Sequence, residues 1–203
     1  MNYGANSIAQ PTGNLKSRRI LYLAFATIAL LVLGLIYAWS IFATPIGKDY
    51  ETYKPFLGQV FQVSMFLFCV SALLGAQIIR RKSAKTAIIT AASLLGIGFI
   101  LTAFLSQFSV VLIFIFYGVL AASGVGIAYN AIISLINPWF PDRIGLASGI
   151  MMMGFGVSAL VFGALANLAF KYMSWKIVFI IIAIAGAIIL VALALIIKPA
   201  PKD

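Results

Sequence analysis

Six long apolar runs constrain this chain more than any other feature: Ile20–Ala43, Phe56–Ile79, Thr86–Leu105, Val110–Ile136, Leu146–Phe170 and Ile177–Ile197. Each is long enough, as a helix, to cross a hydrocarbon core of about 30 Å. Hydrophobic residues make up 64% and charged residues 9%, against about 45–50% and about 25% in soluble domains. A soluble domain of 203 residues can bury a sizeable core, but not six runs with almost no polar face. Their solvent is lipid or neighbouring helices. The expected fold class is all-α integral membrane, a six-helix bundle over 20–197 with polar tails at 1–19 and 198–203. The first run is too long for a signal-peptide core and five more follow it, so it is read as a retained helix.

The net charge of +10 is distributed by loop. If the spans alternate, Lys16, Arg18, Arg19, Arg80, Arg81, Lys82, Lys85, Arg143, Lys198 and Lys202 share one side, and Lys48, Lys54, Lys171 and Lys176 the other. That asymmetry obeys the positive-inside bias and puts both termini in the cytoplasm. It also accounts for the basic balance without nucleic acid, which would need a basic, aromatic-bearing face on a folded soluble surface. The loop Thr44–Pro55 reads as a balanced, solvated run, and Ser106–Ser109 as a tight hairpin.

Several chemistries are short of parts. Histidine is absent, Cys69 is the sole cysteine, and all four acids and fourteen basic residues lie in loops or tails. A proton relay across a membrane needs an embedded carboxylate or histidine, and hydrolysis needs a nucleophile with a base or a metal with ligands. The chain reads as no enzyme, with no catalytic residue, metal or cofactor.

The fourth and fifth spans carry stripes of small residues. Gly118, Ala122 and Gly126 recur every four positions, continued by Asn130, Ser134 and Asn137; in the fifth the stripe is Gly145, Gly149, Gly156, Ala159, Gly163 and Ala166. Small faces let membrane helices approach closely. Such faces can also slide or rock. The asparagines suit hydrogen bonding between helices, and Asn137 is also placed to cap a helix before Pro138.

The block Trp139-Phe140-Pro141-Asp142-Arg143, joined to Gly145-Leu146-Ala147-Ser148-Gly149, resembles the segment between the fourth and fifth helices of the major facilitator superfamily. Gly34–Pro45 and Gly124–Tyr129 are similar to the first and fourth helices of its oxalate/formate antiporter group. The resemblance covers almost the whole chain but only the amino-terminal half of a twelve-helix fold. It implies a substrate cavity walled by Tyr37, Trp39, Gln59, Tyr129 and Phe155, the last standing where a tyrosine is common. From the residues alone, Tyr37 and Trp39 serve equally as belt aromatics at the membrane interface. It implies gating or conformational roles for Gly75, Arg80, Asp142, Arg143, Gly145 and Gly149.

Two departures accompany it. In the second loop, Ile79 replaces the family's gate aspartate and Lys82 its glycine. The embedded cations that neutralise a carboxylate come, in that group, from the other half. The expected function is therefore secondary transport of a small organic anion by alternating access in a plasma (inner) membrane. It requires lipid and a second six-helix half, on a separate chain or in a homodimer. The alternative is a non-transporting remnant or membrane interaction module.

Overall fold

The computed structural model describes residues 13–105 and 110–200. The expected hairpin at Ser106–Ser109 and most of the amino-terminal tail lie outside the described residues, as do Pro201, Lys202 and Asp203. Among the described residues six helices are long and apolar enough to span a membrane: α1 (Ser17–Asp49), α2 (Lys54–Arg81), α3 (Ala84–Ala103), α4 (Val111–Trp139), α5 (Ile144–Ala169) and α6 (Trp175–Ile196).

Their ends follow local chemistry. Ser83 caps α3 by accepting a hydrogen bond from the Thr86 amide at 3.1 Å, and Ser174 does the same for α6 at Lys176. Both satisfy amides that a helix start leaves without partners. The first helix outruns its apolar stretch and continues through Pro45 to Asp49, and Glu51–Phe56 forms a 3-10 turn. The Thr44–Pro55 run is therefore mostly helical, and it is not simply solvated. Asp49 accepts from the Trp175 indole at 2.6 Å, and the buried Tyr50 donates its hydroxyl to the Leu105 carbonyl at 2.9 Å. Backbone near apolar surroundings keeps its hydrogen bonds internal, and a proline removes only one of them.

The helices pack most broadly as α2 on α4, α3 on α6, α3 on α4, and α1 on α5. Glycines set how close they come. A Cβ at Gly126 would overlap the Phe68 carbonyl and Ser71 of α2, and one at Gly98 would sit 2.5 Å from the Ala121 amide nitrogen of α4. Without a hydrophobic drive between helices in lipid, such backbone contact supplies the attraction. The small face of α4 therefore packs closely on another helix, as its spacing implies, and that helix is α2.

Burial is uneven. In their most apolar windows α3 and α4 are 56% buried, whereas α5 is 33% and α2 only 22%. Two flanking helices thus leave broad faces open. On α2 the open face carries Gln59, Gln62, Phe66, Leu73 and Gln77. On α5 it includes Gly145, Gly149 and Gly156, where an added Cβ would meet nothing within 4 Å.

Candidate functional site

Four of the helices each send one aromatic ring to a common point. Phe155 of α5 lies 5.2 Å from Tyr37 of α1, 4.9 Å from Tyr129 of α4 and 5.7 Å from Phe68 of α2, centroid to centroid. Phe68 and Tyr129 close the group at 5.6 Å. Edge-to-face and offset contacts of this kind are favourable beyond the area they bury. Tyr37 remains 40% exposed while Phe155 is 5% exposed, so Tyr37 is the open lip of the group and Phe155 its floor.

A break in α1 sets the direction of Tyr37. Residues Gly34–Ala38 tighten into a 3-10 turn where Gly34 lies against the backbone of α5. A Cβ there would overlap the Phe155 carbonyl. Trp39 follows two residues later, about 200° further round a helix, and goes elsewhere. It is 2% exposed, donates its indole N–H to the Leu57 carbonyl at 2.6 Å, and packs on Tyr117 at 4.3 Å. Tyr117 itself lies in a π-helical stretch of α4, Phe114–Ala121, and its hydroxyl points at the Ile36 carbonyl at 3.5 Å. The two irregular turns thus face each other across the bundle.

Beside the rings opens a cavity of about 600 Å³. Its α1 wall is Tyr37, Trp39, Ser40, Ala43 and Thr44; its α2 wall is Lys54, Leu57, Gly58 and Phe61. Tyr37 belongs to both the cavity and the ring group. The structure therefore unites Tyr37, Tyr129 and Phe155 in one group, with Trp39 behind the adjoining cavity. Gln59 is exposed on α2 next to Gly58, outside both the ring group and the cavity wall. Sequence reasoning passed over Phe68 and Lys54. Phe68 is four residues from Ser64 and three from Ser71, both buried, a spacing that marks the seam of α2 with α4.

The opposite end of the bundle holds the Trp-Phe-Pro-Asp-Arg block. Arg19, at the start of α1, donates to the Asp142 carboxylate and to the Trp139 carbonyl, and its guanidinium lies 5.1 Å from the Phe140 ring centre. Trp139 is buried, edge-on to Tyr22 at 5.0 Å, and gives its indole N–H to the Lys198 carbonyl at 3.1 Å. Ser148 donates to the Asn137 side chain at 2.9 Å, so Asn137 ties the α4 end to α5. Hydrogen bonding from its own backbone amide, and then from Arg19, holds the Asp142 carboxyl below the usual carboxylate range. Arg143 is largely exposed, 3.9 Å from the other Asp142 oxygen. Arg80 is exposed at the end of α2, and Gly75 lets α2 touch the backbone of α4 at Ile127, 3.1 Å from its would-be Cβ.

Residues 23–203 match the sequence profile of the Major Facilitator Superfamily. The chain belongs to that superfamily. It is 25% identical over 190 residues to the oxalate:formate antiporter of Oxalobacter formigenes, a match covering 93% of this chain and 44% of that protein. It is equally identical over 190 residues to the uncharacterized MFS-type transporter YhjX of Escherichia coli, covering 94% and 47%. Monocarboxylate transporter 12 of mouse is 26% identical over 138 residues, 66% of this chain and 26% of that one. This facilitator chain spans less than half the length of the curated relatives it matches.

Proposed function

We propose that this six-helix bundle is the amino-terminal unit of a secondary transporter for a small organic anion, a mono- or dicarboxylate. It acts by alternating access together with a second six-helix unit, carried on a longer chain, a partner chain or a second copy. The observation that carries this reading is the ring group itself. Four helices of the one unit converge on one half-open aromatic point beside a cavity. Sites in such transporters lie near the midplane, between units that rock around them. The names of the relatives, an oxalate:formate antiporter and a monocarboxylate transporter, support carboxylates as the substrate class.

In this reading Tyr37, Tyr129 and Phe155 form one wall of the substrate site and Trp39 stiffens it from behind. Gln59, on the open face of α2, is left to meet the second unit or the substrate. Gly75 permits sliding of α2 on α4. Gly145 and Gly149 present a smooth face for the second unit, and Asp142, Arg143 and Arg80 stand at the gate. The end bearing Arg19, Arg80 and Lys198 faces the cytoplasm, as the basic asymmetry requires, in a plasma membrane.

Labelled formate or oxalate exchange in liposomes tests the function, with this chain assembled with its second unit. Saturable exchange, weakened by Tyr129→Phe through loss of one polar contact of about 0.5–1.5 kcal/mol, supports it. Absence of exchange, or exchange indifferent to Tyr37 and Tyr129 together, overturns it. Orientation is read separately. A cysteine at Ser83 in a Cys69→Ser background is expected to react with an impermeant reagent only from the cytoplasmic side.

A further inference from the structure

We propose that Lys54 and Ser40 form an anion-docking subsite at the mouth of the cavity, selecting small monocarboxylates with an apolar body. The proposal rests on the transport reading above and names a group on this chain that meets the charge. The cavity runs between Tyr37 and Lys54. Along α1 its wall from Tyr37 to Thr44 rises about 10 Å at 1.5 Å per residue. An anion entering beside Lys54 therefore has about 10 Å of α1 wall between it and the ring group.

Lys54 is available for this. Its stem lies along Gly47, with Cγ 3.5 Å from a Cβ built there, and it has no ion pair among the described residues. The nearby acids are otherwise engaged or solvent-facing: Asp49 holds the Trp175 indole, and Glu51 is exposed. The other cations at this end stand off the wall. Lys176 gives its ammonium to the Leu105 carbonyl at 3.2 Å, and Lys48 and Lys171 are exposed.

The hydroxyls complete the pair. Thr44 donates to the Ser40 carbonyl at 3.2 Å, whereas the Ser40 hydroxyl is exposed and has no partner among the described residues. An ammonium and a free hydroxyl offer one carboxylate two donors. Of the rest of the wall, Ala43, Leu57, Phe61 and the engaged Trp39 offer nothing to a second charge, and Tyr37 offers only a neutral hydroxyl. A dicarboxylate would leave its far carboxylate with no second cation on this wall, at a desolvation cost. The subsite thus prefers one charged end and a short aliphatic body.

The test reads the field in the cavity directly. Thr44→Cys in a Cys69→Ser background is labelled with anionic and with cationic methanethiosulfonate reagents of similar size. Taking the ratio of the two rates cancels any change in thiolate fraction. Lys54→Gln is expected to lower the anionic-to-cationic ratio about tenfold at low salt, the range in which a focused field alters encounter rates. Lys54→Arg restores the ratio, added salt erases the difference, and Lys171→Gln, beyond the end of α5, leaves it unchanged. Propionate protects the cysteine at lower concentration than succinate. An unchanged ratio in Lys54→Gln, or equal protection by succinate, overturns the subsite. A normal ratio with no carboxylate exchange in the assembled protein instead leaves the subsite standing and removes the transport reading.

Discussion

Tyr37 and Trp39 are two residues apart and do different work. The indole of Trp39 is fixed by the Leu57 carbonyl and by Tyr117, which ties α1 to α2 and α4. Tyr37 touches Phe155 and leaves its edge open. Trp39→Phe keeps a ring but loses the hydrogen bond, so stability is expected to fall by about 1 kcal/mol, read as a lower midpoint of thermal unfolding. Tyr37→Phe is expected to leave that midpoint in place and to weaken substrate binding. A reversed pattern would exchange the two roles. Both residues, with Tyr129 and Phe155, were singled out by the family resemblance; the residues alone left Tyr37 and Trp39 equally as belt aromatics at the membrane interface. Phe68 was not: it is one of 16 phenylalanines, and nothing along a single helix reveals which ring on another helix it will meet. Lys54 was read as a topology signal, since its place on a cavity wall depends on how α1 continues past Pro45.

At the scale of helices, the small-residue stripes were visible in advance but their partners were not. Spacing puts Gly118, Ala122 and Gly126 on one face; only the fold shows that this face meets α2. The glycines of α5 divide between two faces. Gly154 and Gly163 pack against Thr27 and Ile41 of α1, whereas Gly145, Gly149 and Gly156 look outward. One period of small residues therefore hid two functions, because a helix has more than one face that can use them. The 3-10 and π turns of α1 and α4 were also illegible, since they arise where backbones press together rather than from any residue preference. A paired substitution separates the faces. Gly126→Val drives a branched side chain into the Phe68 carbonyl and is expected to cost about 1–3 kcal/mol or more, seen as loss of folded protein in detergent. Gly149→Val is expected to leave the midpoint of this chain unchanged, and to impair only assembly with a second unit. Equal damage from both would mean that the outward face of α5 is packed after all.

For the whole molecule, the decisive asymmetry is between its two ends. At one, a cavity opens beside Lys54; at the other, Arg19 gathers α1, the α4–α5 connection and, through Trp139, the end of α6. The sequence motif marked Asp142 and Arg143 as gate residues, but its partner Arg19 lies more than a hundred residues earlier and looked like one more positive charge. The response of the Arg19–Asp142 pair to acid follows from the depressed Asp142 carboxyl. A carboxyl whose folded value lies below its free value contributes above the free value, about 3.9. That contribution is lost only as the pH falls through the lower, folded value. Across roughly pH 5–8 the Arg19–Asp142 pair therefore stays charged, and opening of this end is expected to be insensitive to pH there. A cysteine at the buried Ala147, in a Cys69→Ser background, reports it: its labelling rate from the Arg19 end, divided by that of a reference cysteine at Ser83 to cancel the change in thiolate fraction, is low and flat across that range. Asp142→Asn and Arg19→Gln each raise the labelling rate. The double variant raises it little beyond either single one, because both remove the same pair. Additive effects, or a normalised rate that climbs as the pH is lowered from about 8 to about 5, would show that some other group holds this end shut.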